Sequence, residues 1–138
     1  MTKLKSGLQA EVGDEEFLAR FLVRGGGRYK NGTVKPAAFL PHPKDNKTSV
    51  FRHEPSAEAE LKKVALEQFP SHVKVGGVVF IKAKDVRKTK LNVVSEEPPM
   101  RHADLVGWPL SYDGDMDIAK NNNLAQLLLK EAVDFKAY

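Results

Sequence analysis

The sequence predicts an α+β fold: a single domain with a mainly antiparallel sheet and two helices packed on one face. The length of 138 residues suits one domain with a buried core. Several strand-like segments follow one another without a helix between them, which favours antiparallel pairing. Two other segments carry apolar residues at helical spacing, and no internal repeat is present.

The N-terminal residues 1–13 contain few large apolar side chains and two glycines. They are predicted to be a flexible N-terminus, so that the domain itself spans 14–138. Residues 17–23 have two interpretations, because their apolar side chains fit helical spacing after the acidic residues 14–16 and also alternate as in a strand. The glycines at 25–27 favour the strand.

Residues 25–48 hold seven Gly and Pro residues around the apolar segment 37–40 and are predicted to form a long structured loop. Residues 48–52 then form a short strand. A helix is predicted over 56–69, with Ser56 as its N-cap and Pro70 ending it.

The second half of the chain is predicted to begin with a strand over 73–83, because this segment contains four valines and one isoleucine. A basic turn at 87–90 leads to a strand near 91–94. A further strand covers 101–108, and an acidic loop covers 110–117. A C-terminal helix over about 118–135 completes the domain.

The composition excludes several classes of protein. With 41% hydrophobic and 29% charged residues, the chain is not intrinsically disordered. No apolar run approaches the roughly 20 residues of a membrane-spanning helix. The absence of cysteine excludes disulfides, thiolate metal sites and cysteine nucleophiles. The first residues lack the apolar core of a secretory signal, so we expect a cytoplasmic bacterial protein.

Positive charge is concentrated in two segments. Residues 20–53 carry a net charge of +7 and residues 70–90 of +5, whereas the whole chain carries only +4. If the two segments meet, they form a basic face for an anionic partner, most directly nucleic acid. Alternatively, acidic residues interleave with them and cancel the charge. The candidate anion-binding residues are Arg24, Arg28, Lys35, Arg52, Arg87, Lys88 and Lys90, with Trp108 as a stacking surface.

Two short motifs resemble known ligand loops. The glycines at 25–27 lie between two arginines and could expose backbone N–H groups to an anion, or simply form a mobile turn. The run at 113–117 resembles the start of a calcium loop but lacks the glycine and the final glutamate that such loops need, so a helix-capping turn is expected. The four histidines show no metal-ligand spacing, and neither a metal nor another cofactor is predicted.

The segment around His102 is the most suggestive for catalysis. In a strand, His102 and Asp104 share a face, and a histidine beside a carboxylate can accept a proton near neutral pH. If the strand ending at Arg52 lies alongside, Arg52 would join them to bind and process a phosphate-containing substrate. Alternatively, His102 is a partly buried structural histidine and Trp108 packs in the core.

Three segments resemble those of an uncharacterised family of small stand-alone bacterial proteins: 34–41 (VKPAAFLP), 48–52 (TSVFR) and 101–109 (RHADLVGWP). The resemblance covers roughly residues 17–132 and implies a bacterial, cytoplasmic, single-domain protein without indicating a reaction.

Three hypotheses about function follow from the sequence. The leading one is a small binding protein with a basic face, and the second is the enzyme or nucleotide-ligand protein described above. The third is a protein-interaction module that uses the loop at 25–48.

Overall fold

A computed structural model describes residues 4, 6–23, 29–30, 33–53, 61, 63–64, 67, 69 and 75–137. In these ranges the strands and helices occur in the following order: β1 (Phe17–Val23), β2 (Tyr29–Lys30), β3 (Thr33–Val34), a 3-10 helix (Pro36–Phe39), β4 (Thr48–His53), β5 (Val75–Lys82), α1 (Ala83–Lys88), β6 (Asn92–Ser95), β7 (His102–Val106), α2 (Ile118–Glu131) and β8 (Val133–Ala137).

The described strands form a six-stranded sheet in the order β6-β7-β4-β1-β5-β8, and every neighbouring pair is antiparallel. Strand β1 lies near the centre and pairs with β5 from Phe17, opposite Lys82, to Val23, opposite Val75. The small β2–β3 ladder is separate from this sheet. The strand interpretation of residues 17–23 is therefore correct.

One face of the sheet, called here the core face, is covered by both described helices and the 3-10 helix. Val86 of α1 and Leu128 of α2 are fully buried in the same cluster as Phe39 of the 3-10 helix. Asp117 caps α2, its side chain accepting a hydrogen bond from the backbone N–H of Lys120. The predicted fold class, an antiparallel sheet with two helices on one face, is confirmed.

The opposite face, called here the aromatic face, carries a second apolar cluster that includes Phe21, Phe51 and Phe80. Within the helix predicted over 56–69, the described residues 61, 63, 64 and 67 are helical and Phe69 forms a bend; Leu61, Val64 and Phe69 belong to or pack against this cluster. The rest of that predicted helix lies outside the described residues. The two helices of the core face are therefore α1 and α2, and the helix predicted over 56–69 is not one of this pair.

Two segments differ from the sequence prediction. The basic residues 87–90 were expected to be a turn, but Arg87 and Lys88 complete helix α1, and the turn comes only at residues 89–90. The C-terminal helix ends at Glu131 rather than near residue 135, because the backbone of Ala132 is extended. The residues after it add strand β8 to the edge of β5, whose backbone groups supply hydrogen-bond partners.

The N-terminal segment contacts the sheet. Val12 belongs to the core-face cluster. The backbone carbonyls of Gln9 and Glu11 accept hydrogen bonds from Arg52, and that of Val12 accepts one from Arg87. The flexibility predicted for residues 1–13 stays a prediction. Within the described ranges, every helix is too short or too polar to cross a lipid bilayer.

Candidate functional site

A cleft of about 650 Å³ opens on the aromatic face, where β4 and β7 lie side by side. In this pair Ser49 lies opposite Asp104, and Phe51 lies opposite His102. Because alternate residues of a strand point to the same face, all four side chains face the cleft. The volume is in the range of small-molecule sites. The prediction that His102 and Asp104 share one face of a strand is confirmed.

Ser49 and His102 form a hydrogen-bonded pair. The Oγ of Ser49 lies 2.6 Å from Nε2 of His102, and Nδ1 of the same ring lies 2.9 Å from the backbone carbonyl of Glu96. Because a carbonyl oxygen only accepts hydrogen bonds, Nδ1 carries the proton, and Nε2 of the neutral ring accepts from the Ser49 hydroxyl. Ser49 itself is exposed to solvent. The arrangement joins a hydroxyl group to an imidazole that a third group holds in orientation, which is the geometry that nucleophilic catalysis requires.

Asp104 places a carboxylate beside this pair, with Oδ1 at 3.6 Å from Nε2 of His102. The carboxylate is nearly buried, its side chain 8% exposed. Burial raises the pKa of Asp104, an effect that His102 and Lys47 oppose and that Glu96 and Asp45 reinforce. Burial thus disfavours the ionised form of this carboxyl, whereas a protonated imidazole at His102 would favour it.

An aromatic wall supports the imidazole. The ring of Phe51 lies 5.3 Å from that of His102 in an edge-on arrangement. Phe21 is 5.4 Å from Phe51, and Phe69 meets Phe21 edge to face at 6.0 Å. These contacts restrict the rotation of the histidine ring and make one side of the cleft apolar. The site can therefore accommodate a partly apolar ligand next to the hydroxyl group of Ser49.

Two cationic side chains, those of Arg20 and Lys47, also line the cleft. Arg20 spans the gap between β1 and β4, its Nη1 donating to the backbone carbonyl of Ser49 and its Nε to that of Ala38. Lys47 precedes β4 and lies close enough to Asp104 to act on the pKa of its carboxyl. Arg20 thereby fixes the backbone of Ser49, while Lys47 supplies positive charge near Asp104.

Arg52 does not belong to this site, although the sequence suggested that it joins His102 and Asp104. It follows Phe51 on β4, so its side chain points to the core face, and it is only 1% exposed. Its guanidinium is bound by both carboxylate oxygens of Glu16, each at 2.8 Å. The predicted strand pairing exists, but it separates Arg52 from His102 because adjacent residues of a strand face opposite sides.

Trp108, predicted as a stacking surface, is 2% exposed and packs in the core-face cluster. It cannot stack on a nucleobase in this position, because its ring has no accessible face. The alternative interpretation of Trp108 as a core residue is the correct one.

The predicted basic residues are partly neutralised. Arg87 lies 2.6 Å from Asp14, Lys88 lies 3.4 Å from Asp85, and Glu15 binds the neighbouring Lys82 and Lys84. Lys35 and Lys90 are exposed. Arg24 and Arg28, together with the glycines between them, lie outside the described residues. Around helix α1, therefore, acidic residues interleave with the basic ones, as the alternative interpretation of the charge pattern anticipated.

The acidic loop forms a turn rather than an ion site. The carboxylate of Asp113 accepts hydrogen bonds from the hydroxyl of Ser111 and the backbone N–H of Asp115, and these bonds lower the pKa of Asp113. In the described part of the chain, no group of three or more His, Cys, Asp or Glu side chains is placed to bind a metal ion together.

Ser49 is the residue that sequence reasoning missed. The sequence shows that Ser49 and Phe51 would share one face of a strand. The distance from Ser49 to His102, however, depends on the register of β4 against β7, which the sequence does not show. Comparisons with protein-family models, with curated proteins and with solved structures found no match to this chain. The site is therefore interpreted from its own geometry.

Proposed function

We propose that this protein is a small hydrolase that cleaves an ester through Ser49 as nucleophile and His102 as general base. The observation that carries the proposal is the 2.6 Å contact between Ser49 Oγ and His102 Nε2, with Nδ1 held on the Glu96 carbonyl. Nucleophile, base and orienting group are the three parts that activation of a serine requires.

In the proposed reaction, Ser49 Oγ attacks the ester carbonyl carbon while its proton passes to Nε2 of His102. The resulting tetrahedral intermediate collapses, the C–O bond to the alcohol breaks, and the alcohol leaves with the proton from Nε2. A water molecule then attacks the acyl group on Ser49, again giving its proton to His102. The carboxylic acid is released, and the serine recovers the proton from Nε2.

The other polar groups of the cleft have supporting roles in this reaction. Asp104 stabilises the imidazolium that exists between the two proton transfers, since its carboxylate lies 3.6 Å from Nε2. Lys47 also lines the cleft, and its positive charge would stabilise the negative charge that develops on the carbonyl oxygen of the substrate. The aromatic wall excludes water from one side of the acyl group.

Two measurements test the proposal. The first is the rate of p-nitrophenyl acetate hydrolysis by the wild-type chain and by Ser49→Ala and His102→Gln. Each variant is expected to lose roughly 10²- to 10⁴-fold in kcat/KM. The second is labelling by a fluorophosphonate followed by peptide mass spectrometry, which is expected to place the label on Ser49 and to fail in His102→Gln.

Ser111 provides the matched control, because it is a serine on the described surface whose hydroxyl donates to the carboxylate of Asp113 rather than to an imidazole. Ser111→Ala is expected to retain wild-type hydrolysis and labelling. A Ser49→Ala rate equal to wild type, or a label on Ser111 as strong as on Ser49, contradicts the proposal. Circular dichroism of each variant separates loss of activity from loss of folding.

A second proposal keeps the leading sequence hypothesis: a bacterial, cytoplasmic binding protein whose basic residues contact an anionic partner, possibly nucleic acid. The exposed Lys35 and Lys90 support it, together with the chain's net charge of +4. Titration of generic DNA and RNA over a range of salt concentrations tests it, since phosphate contacts give a steep salt dependence. Absence of binding near 50 mM salt contradicts it.

The protein-interaction hypothesis for residues 25–48 stays a prediction, tested by co-purification from the host.

A further inference from the structure

A second cavity, of about 460 Å³, lies at the end of the sheet where β1 begins, between the N-terminal segment and β4. It shares no lining residue with the cleft of Ser49 and His102. The residues around it that matter for its chemistry are Gly7, Gln9, Gly13, Glu16, Arg52 and Arg101. The cavity therefore has to be considered separately from the proposed hydrolytic site.

Arg101 is the unusual residue of this cavity. Its Nε donates to the backbone carbonyl of Arg52 at 2.8 Å, and its own carbonyl accepts from the backbone N–H of Arg52 at 2.7 Å. Its Nη2 is buried and has no hydrogen-bond acceptor. Its backbone has a φ of 69°, in the left-handed region that residues other than glycine and asparagine rarely adopt. A buried guanidinium nitrogen without an acceptor is uncommon, and a bound ligand is one arrangement that would satisfy it.

The charges around the cavity leave this guanidinium without a counter-ion among the described side chains. Glu16 is bound by Arg52, and Glu15 is shared by Lys82 and Lys84. The two lysines lower the pKa of Glu15, so this carboxylate is ionised and already bound. Two arginines and two glutamates line the cavity, but both glutamates are already bound, so the guanidinium of Arg101 remains available to a negatively charged ligand.

We propose that this cavity binds a small oxyanion, the carboxylate or phosphate group of a small molecule, on the guanidinium of Arg101. The oxyanion would supply the acceptor that Nη2 lacks and a counter-ion for Arg101. The hydrogen bond from Nε of Arg101 to the carbonyl of Arg52 holds the guanidinium in place before the ligand arrives, and the backbone bond from Arg52 N–H to the Arg101 carbonyl fixes the chain there. The proposal does not depend on the hydrolytic reaction, because the two sites share no residue.

The test uses the full-length, ¹⁵N-labelled wild-type chain, titrated separately with inorganic phosphate and with acetate at constant ionic strength. The backbone amides of Gly7 and Gly13 and the Nε–H of Arg101 are followed by NMR. Saturable shifts of these signals with either anion support the proposal, and the anion that saturates at the lower concentration identifies the ligand class. Shifts that are absent, or that grow linearly without saturation for both anions, overturn it.

Two variants assign the binding to the guanidinium. Arg101→Met is expected to weaken binding at least about tenfold. Lys90→Met is the matched control, because Lys90 is also a cation with a left-handed backbone, with a φ of 75°, but it lies outside the cavity. Equal binding by Arg101→Met and wild type overturns the proposal. If Arg101→Met does not fold, the wild-type titration still decides the outcome.

Discussion

Replacement of Arg52 by methionine is expected to destabilise the protein strongly without altering the chemistry of the cleft. The guanidinium makes four hydrogen bonds, two to the carboxylate of Glu16 and one each to the carbonyls of Gln9 and Glu11. Arg52 is only 1% exposed, so water does not solvate its guanidinium, and these four acceptors are its hydrogen-bond partners. Methionine fills similar space but carries no charge and donates no hydrogen bond to these partners.

The size of the effect follows from how deeply the pair is buried. Breaking a fully buried ion pair costs about 3–5 kcal/mol, because the remaining charge is left without a partner. The Glu16 side chain is 29% exposed and can recover part of its hydration, which favours the lower end. We therefore expect Arg52→Met to reduce the free energy of unfolding by about 3 kcal/mol, a large part of the 5–15 kcal/mol typical of domains.

Urea denaturation measures this quantity, and Arg87→Met is the matched control. Arg87 also binds a carboxylate, that of Asp14, and the carbonyl of Val12, but its side chain is 29% exposed and that of Asp14 is 65% exposed. Exposed pairs contribute about 0–1 kcal/mol. A loss in Arg52→Met no larger than that in Arg87→Met refutes the argument. So does a folded Arg52→Met that has lost the activity of the cleft, since the arginine lies on the opposite face.

Three further predictions concern stability. Burial raises the pKa of Asp104, so the folded chain holds this proton more tightly than the unfolded chain, and stability falls as pH rises from the ordinary carboxyl pKa through the raised one. Asp104→Asn is expected to remove that fall in urea unfolding curves measured across this range, and an unchanged pH profile contradicts it. Leu128→Ala is expected to cost about 2–5 kcal/mol, because Leu128 is fully buried, whereas Leu127→Ala, at a half-exposed position, is expected to cost under about 0.5 kcal/mol by the same assay. Gly107→Ala is expected to cost about 1–2 kcal/mol in thermal unfolding, because φ is 91° while the added Cβ meets only ordinary contacts; a stability equal to wild type contradicts this.

The sequence predicts an element well when its pattern has a single structural outcome. Helix α2 has a capping aspartate and a long apolar repeat, and its start at Ile118 was predicted. Strand β1 was harder, because seven apolar-rich residues fit both periods. The sheet decides it, since β1 is paired on both sides by β4 and β5 and both of its faces are buried. A strand buried on both faces carries apolar residues at consecutive as well as alternate positions, so its pattern also fits a helix.

Strand β8 and helix α1 were missed for a different reason. The residues of β8 continue the apolar pattern of α2, and only the free edge of β5 makes an extended backbone favourable there. Helix α1 is a six-residue segment with no side-chain N-cap, and its Val86 is buried against the sheet. Tertiary contacts decide the conformation of such short segments, and local propensity alone does not.

The candidate site divides in the same way. That His102 and Asp104 share a face follows from the two-residue period of any strand, so it was predictable. The contact between Ser49 and His102 is a diagonal one between two strands, and it depends on the register of β4 and β7. A shift of one residue would have placed Arg52 rather than Phe51 opposite His102. Arg52 would then face the cleft and Phe51 the core.

Strand β4 has one face toward the cleft and one toward the core, so we expect its variants to differ according to the face that they change. Ser49 and Phe51 face the cleft, while Val50 and Arg52 face the buried core. Substitution of the first pair is expected to act on the proposed reaction, and substitution of the second pair on stability. Because the two sets alternate one residue at a time, neighbouring variants share the same backbone and the same strand pairing. A difference between Ser49→Ala and its neighbour Val50→Ala in activity per folded molecule therefore reports on the side chain alone.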